Sequence, residues 1–241
     1  MWKQVLDNLS FIGVCLAIFA GLVLIAYAAE KLLIKRVNRY PAAKKTAYTA
    51  MFAALAGLLM LVEIPLFFAP AFYKIDLSEL PVLICSFALG PVSGVICELL
   101  KVVIKLLIKG TSSAFVGDFA NFVVGCTFVL PASIIYHTKP GNARAITGLA
   151  IGTAVMTVFG SLFNALYLIP KFAQLFHMEL DAIVSMGTAV NSSITSVWTL
   201  VLYAVVPFNL VKGVVVSVLS FLLYKALYKP LGFDKSPKPV K

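Results

Sequence analysis

Long apolar runs separated by short polar connections set the pattern of this chain. The runs cover about 9–29, 46–65, 78–90, 92–108, 117–136, 145–169 and 197–227. Most approach the roughly 20 residues a helix needs to cross a hydrocarbon core of about 30 Å. Helix breakers mark the boundaries: Pro41, Gly90-Pro91, Lys109-Gly110, the hydrophilic turn 137–144 and Pro170. Pro207 lies inside the last run and predicts a kink or break midway. Ser78 and Glu79 read as the start of the third helix, with Ser at the N-cap and an acid in the first turn. Between 171 and 196 the pattern predicts a mixed loop with short helical character around 172–186. The first run is too long for a secretory signal and lacks a basic n-region or cleavage site, so it reads as a retained helix.

Composition agrees with that pattern. Of 241 residues, 61% are hydrophobic and 12% charged, against about half and a quarter in soluble domains. The pattern therefore predicts an all-α polytopic membrane protein of seven spans. The net charge of +10 would suit nucleic acid, but its placement assigns it elsewhere. Lys and Arg crowd the linker 31–45, the turn 137–144 and the tail beyond 225. The positive-inside rule makes those segments cytoplasmic, with the N-terminus outside. The connections 67–78, 109–116 and 171–196 then face outward, and the basic charge serves topology and anionic lipid. Cys15, Cys85, Cys97 and Cys126 sit in apolar runs as small hydrophobes. His137 and His177 stand alone in predicted loops, which gives no metal cluster. There is no phosphate-binding glycine loop for ATP, no pair of similar halves as in many secondary transporters, and no catalytic constellation.

Against so apolar a background, polar residues are informative. Lys74-Ile-Asp-Leu-Ser-Glu-Leu-Pro81 is a polar island between two runs. Helix initiation accounts for Ser78, Glu79 and Pro81, and the rest of the island is either an ordinary surface loop or the rim of a binding site. Glu63, Glu98, Lys101, Lys105, Asp118 and Lys212 are predicted at membrane depth, where ionisable groups face a cavity or a partner. Glu98, Lys101 and Lys105 share one helix face, either as an ion pair with a snorkelling lysine or as ligand contacts. Asn121, Asn164 and Asn209 fall on three separate runs near Asp118, Tyr167 and Lys212. Each suits interhelical hydrogen bonding, and together they suit a shared polar pocket. In Pro207-Phe-Asn-Leu-Val-Lys212 the proline frees backbone carbonyls where a lysine needs acceptors. The rows Ala50-x-x-x-Ala54 and Ala53-x-x-x-Gly57 permit close helix approach, within this chain or against another subunit.

From about Lys44 to Lys229 the chain resembles the substrate-binding S components of energy-coupling factor (ECF) vitamin transporters, of the riboflavin-specific type. Carrying the resemblance, in order, are Thr46-Ala-x-x-Ala50-x-x-x-Ala54, Phe72-Tyr-Lys-Ile-Asp-Leu-Ser-Glu-Leu-Pro81 and Phe87-Ala-Leu-Gly-Pro91-x-x-Gly94. Glu98-Leu-Leu-Lys101, Lys109-Gly-Thr-Ser-Ser113, Gly117-Asp-Phe-Ala-Asn-Phe122 and Pro207-Phe-Asn-Leu-Val-Lys212 continue it. The resemblance implies a six-helix core, here at 44–229; the extra helix and basic linker at 1–43 depart from it, and the Lys/Pro-rich tail at 230–241 reads as disordered from its composition. It implies no cofactor but riboflavin as transported substrate, bound from outside beneath a first external loop. It further implies a transmembrane T component and two ATPase subunits as partners in a bacterial cell membrane. Carried onto this sequence, the binding residues are Phe72, Lys74, Asp76, Asn121, Asn164, Tyr167, Asn209 and Lys212, with Phe72 and Tyr167 covering the flavin ring. Ala50 and Ala54 would meet the partner. The alternatives are an S component for FMN, roseoflavin or thiamine, a self-sufficient secondary transporter, and a membrane enzyme.

Overall fold

A computed structural model describes residues 2–34, 40–70, 72–111, 113 and 115–227. The basic positions Lys35, Arg36 and Arg39 and the tail expected to be disordered lie outside the described residues. The predicted runs become helices in the expected order: α1 (Trp2–Leu32), α2 (Ala42–Leu59), α3 (Glu79–Leu89), α4 (Pro91–Lys109) and α5 (Val116–Thr138). Next come α6 (Asn142–Phe163), a π-helical turn Asn164–Leu168 and α7 (Ile169–Leu175), which run as one rod. After α8 (Leu180–Thr188), α9 (Val197–Leu200), a second π turn Val201–Val205 and α10 (Val206–Leu227) form another rod. The only strands among the described residues are β1 (Ile64–Pro65) and β2 (Lys74–Ile75), paired antiparallel with Ile64 opposite Ile75.

Four helical stretches among the described residues are long and apolar enough to cross a membrane: Gly13–Leu32, Val116–Thr138, Asn142–Leu175 and Val197–Leu227. Large apolar side chains such as Leu24, Leu58, Val158, Leu166 and Leu222 face outward around them, as a lipid-facing belt requires. Helix α3 behaves differently. Its 11 residues span only about 16 Å, and every one of them is buried. It is enclosed by α2, α4, α5 and α10, which accounts for a segment apolar on all sides. Gly90, at φ 102°, ends α3 and starts α4 at once. A side chain there would be strained, and Gly94 lets the two helices close against Ser86.

Neither proline interrupts its helix. Pro170 does not stop its helix, and Pro207 does not break its own. In each case a π turn comes first, and the residue before the proline donates five positions back, Ile169 to Asn164 and Val206 to Val201. The widened turn gives room to the ring and absorbs the missing N–H. The two π turns also touch each other. Two further placements change as well. His137 is buried in the last turn of α5, its Nε2 2.9 Å from the Ser86 carbonyl. Glu63, expected inside a span, lies beyond the end of α2 and is partly exposed.

The small-residue rows of α2 part company. Ala53 and Gly57 are buried, with Ile104 and the Lys101 carbonyl of α4 against Gly57. Ala50 and Ala54, on the neighbouring stripe of the helix, are exposed. Helix α1 packs on α4 and α5, and its Glu30 carboxylate accepts the Val92 N–H at 3.0 Å, capping the start of α4.

Candidate functional site

The site is built upward from the N-terminal end of α3. Glu79, 1% exposed, receives Lys101 of α4 at 3.1 Å and Lys212 of α10 at 2.9 Å, both on Oε1. Lys101 also pairs with Glu98 at 2.6 Å, and Lys212 with Asp76 at 3.2 Å. Five charges from four parts of the chain thus meet out of water. A side chain on Gly125 of α5 would overlap the Glu98 carboxylate, so that glycine is the space in which the charge sits. Beside this cluster Lys105 bridges Asp118 at 2.6 Å and the Gly110 carbonyl at 3.0 Å.

Sequence reasoning anticipated the Glu98–Lys101 pair but not its third member. It also assigned Lys212 backbone carbonyls as acceptors, whereas the structure gives it two carboxylates. Ser78 is not a side-chain cap; instead its N–H donates to Asp76 Oδ1 at 2.9 Å and its hydroxyl donates to the same oxygen. Burial alone would raise the Asp76 carboxyl, but Lys212, Lys101 and the Ser78 donors hold it down at about 2.

The segment 60–78 lies over this floor. Its short β1–β2 pairing is braced by Glu63, which takes Lys74 and Lys109 at 3.0 Å each. Leu66, Phe68, Ala69 and Tyr73 pack on the apolar cluster of Ile183, Ile194 and Leu200. The Tyr73 hydroxyl donates to Asn164 Oδ1 at 2.9 Å, and its ring lies 5.4 Å from that of Phe208.

Between floor and cover is a cavity of about 510 Å³. It lies at the end of the bundle where the segment 60–78, Ser113, the start of α5 and the stretch from Phe176 into α8 meet. Seven predicted residues line it: Phe72, Lys74, Asp76, Asn121, Asn164, Asn209 and Lys212. Tyr167 does not. It stacks on Phe163 with centroids 5.2 Å apart, beside Val116 and Ala120. The aromatic walls are Phe72, Tyr73, Phe172, Phe176 and Phe208, of which only Phe72 was among the candidates. Tyr73 and Phe208 sit within motifs the sequence reading singled out; Phe172 and Phe176 carry no such signal. The asparagines differ in what they have left to offer. Asn164 is engaged by Tyr73 and by the Gly160 carbonyl at 2.8 Å. Asn121 Oδ1 and Asn209 Nδ2 are buried without partners.

Fold and site together define a polytopic α-helical membrane protein with a polar-floored, aromatic-walled cavity at one end. Residues 44–224 match the family model for the ECF transporter substrate-specific component, and the chain belongs to that family. It is 33% identical over 184 residues to the riboflavin transporter RibU of Staphylococcus aureus (strain TCH60), covering 76% of this chain and 90% of that one. It is 30% identical over 182 residues to the riboflavin transporter FmnP of Bacillus subtilis (strain 168), at 75% and 90% coverage. A solved structure described as the S component of a bacterial ECF transporter superposes with a TM-score of 0.62. That likeness holds at 32% identity over 80% of this chain and 99% of the other. Helix α1 precedes the family match.

Proposed function

We propose that this chain is the S component that captures riboflavin for uptake across a bacterial cell membrane. The observation that carries the reading is the buried Asn209–Lys212 pair, one helical turn apart at the base of an aromatic-walled cavity. Flat aromatic walls suit an isoalloxazine ring, while amide and ammonium donors suit its carbonyls and the ribityl hydroxyls. The relatives named as riboflavin transporters support the same substrate. Lys and Arg placement orients the cavity outward, so the vitamin arrives from outside and the 60–78 segment closes over it.

A T component and two ATPase subunits would supply the energy for reorientation and release. Exposed Ala50 and Ala54 provide a flat face on α2 for the T component, because small residues let two helices approach closely.

Titration of the detergent-solubilised protein with riboflavin, followed by flavin fluorescence, tests the substrate. Saturable quenching and a yellow preparation are expected; a colourless protein that leaves the fluorescence unchanged overturns the reading. Ala50→Trp tests the partner face. Binding should be unchanged and ATP-dependent uptake into proteoliposomes of the full transporter lost, and normal uptake rejects that interface.

A further inference from the structure

Glu79 uses only one of its two oxygens. Oε1 takes both Lys101 and Lys212, while Oε2 is buried, unpartnered and carried by a residue that lines the cavity. Asn209 Nδ2 is likewise buried and unpartnered at the same wall. Lys212 has three N–H donors, and two carboxylates take two of them. Around Lys212 there is thus a spare acceptor on Glu79 with spare donors on Lys212 and Asn209, and Asn121 Oδ1 is a further unpartnered acceptor on the cavity lining.

The charge count points the same way. Asp76, Glu79 and Glu98 face Lys101 and Lys212, one more carboxylate than ammonium. A buried carboxylate oxygen left without a donor is costly, and no side chain described at the site supplies one.

We propose that the Glu79 carboxylate receives the ring N–H of a cyclic imide on the bound ligand. Lys212 and Asn209 then donate to the two carbonyls that flank that N–H. A carbonyl, N–H, carbonyl edge is the complement of donor, acceptor, donor. The inference rests on the riboflavin reading and adds the residue that selects the edge of the ring. Glu79 thereby becomes a specificity-determining residue as well as the first residue of α3.

The test compares riboflavin with its N3-methyl analogue, by fluorescence quenching, on the wild type and on Glu79→Gln. Removing the Glu79 charge leaves two carboxylates facing two lysines, so the variant should fold. The wild type should prefer riboflavin over the methylated analogue by at least about tenfold, the scale of a hydrogen bond to a charged group. Glu79→Gln should weaken riboflavin binding about ten- to a hundredfold and shrink that preference. Wild-type affinity for riboflavin in Glu79→Gln overturns the proposal. So does equal affinity of the wild type for both flavins, a result that stands even if the variant does not fold. A wild type that binds neither flavin overturns the riboflavin reading itself.

Discussion

The two ends of α3 meet opposite environments. At its first residue, Glu79, four other charged groups converge and several polar atoms remain unpartnered. Near its last residues, Phe87 stacks on Tyr136 at 4.6 Å and meets Tyr224 edge-on at 5.6 Å, and those two tyrosines share a hydrogen bond. One end keeps unpartnered polar atoms beside a cavity, and the other is closed by rings. A single buried helix thus separates a site from a plug, and the separation can be attacked from either side.

The largest effect is expected from Lys212→Ala. It leaves three carboxylates facing Lys101 alone, and stripping a buried charge of its partner costs about 3–5 kcal/mol. Riboflavin affinity should fall by about a hundredfold, since a charge-assisted donor is lost as well. Thermal unfolding and flavin titration read the two losses, and an unchanged affinity would break the assignment of this end. At the other end, Phe87→Ala should cost about 3–4 kcal/mol through the space it leaves. Its riboflavin affinity, measured below the unfolding temperature, should stay within about twofold of wild type. A large drop in affinity would show that the two ends are coupled.

Asp76 and Lys212 were both legible as candidates, because a charge in an apolar chain stands out. Their pairing was not, since 136 positions separate them and no local pattern links them. Glu79 was misread for a physical reason: an acid in the first turn of a helix is already explained by the dipole, which masks any second role. Tyr167 falls outside the cavity because the spacing from Asn164 assumes an α-helix, whereas 164–168 is the π turn, whose wider winding turns Tyr167 away from Asn164. The seven apolar runs themselves were readable throughout, since burial in lipid or protein demands the same composition. The depth of α3 was not, because a short fully apolar run looks alike in either medium.

Glu63→Gln should give the smallest effect. Its carboxylate is partly exposed, and pairs of that kind contribute less than about 1 kcal/mol once solvent screening is counted. Riboflavin should dissociate only a few times faster, as read by stopped-flow quenching, and a hundredfold change would make the brace a dominant gate. Burial pushes the Glu63 carboxyl up, but Lys74 and Lys109 outweigh it and hold it below its ordinary 4.5. The brace therefore contributes fully above that value and is lost only as pH falls through the lowered one. Dissociation should not change between pH 7 and about 5.5 on account of this group.

Gly125 carries a constraint of another kind. Any side chain there would occupy the volume that the Glu98 carboxylate fills. A larger residue at 125 is then compatible with this fold only when position 98 has become smaller or turned elsewhere, and Lys101 would lose a counter-charge in the same step. Positions 98, 101 and 125 should therefore change in concert as sequences diverge, an inheritance rule written by one missing methyl group.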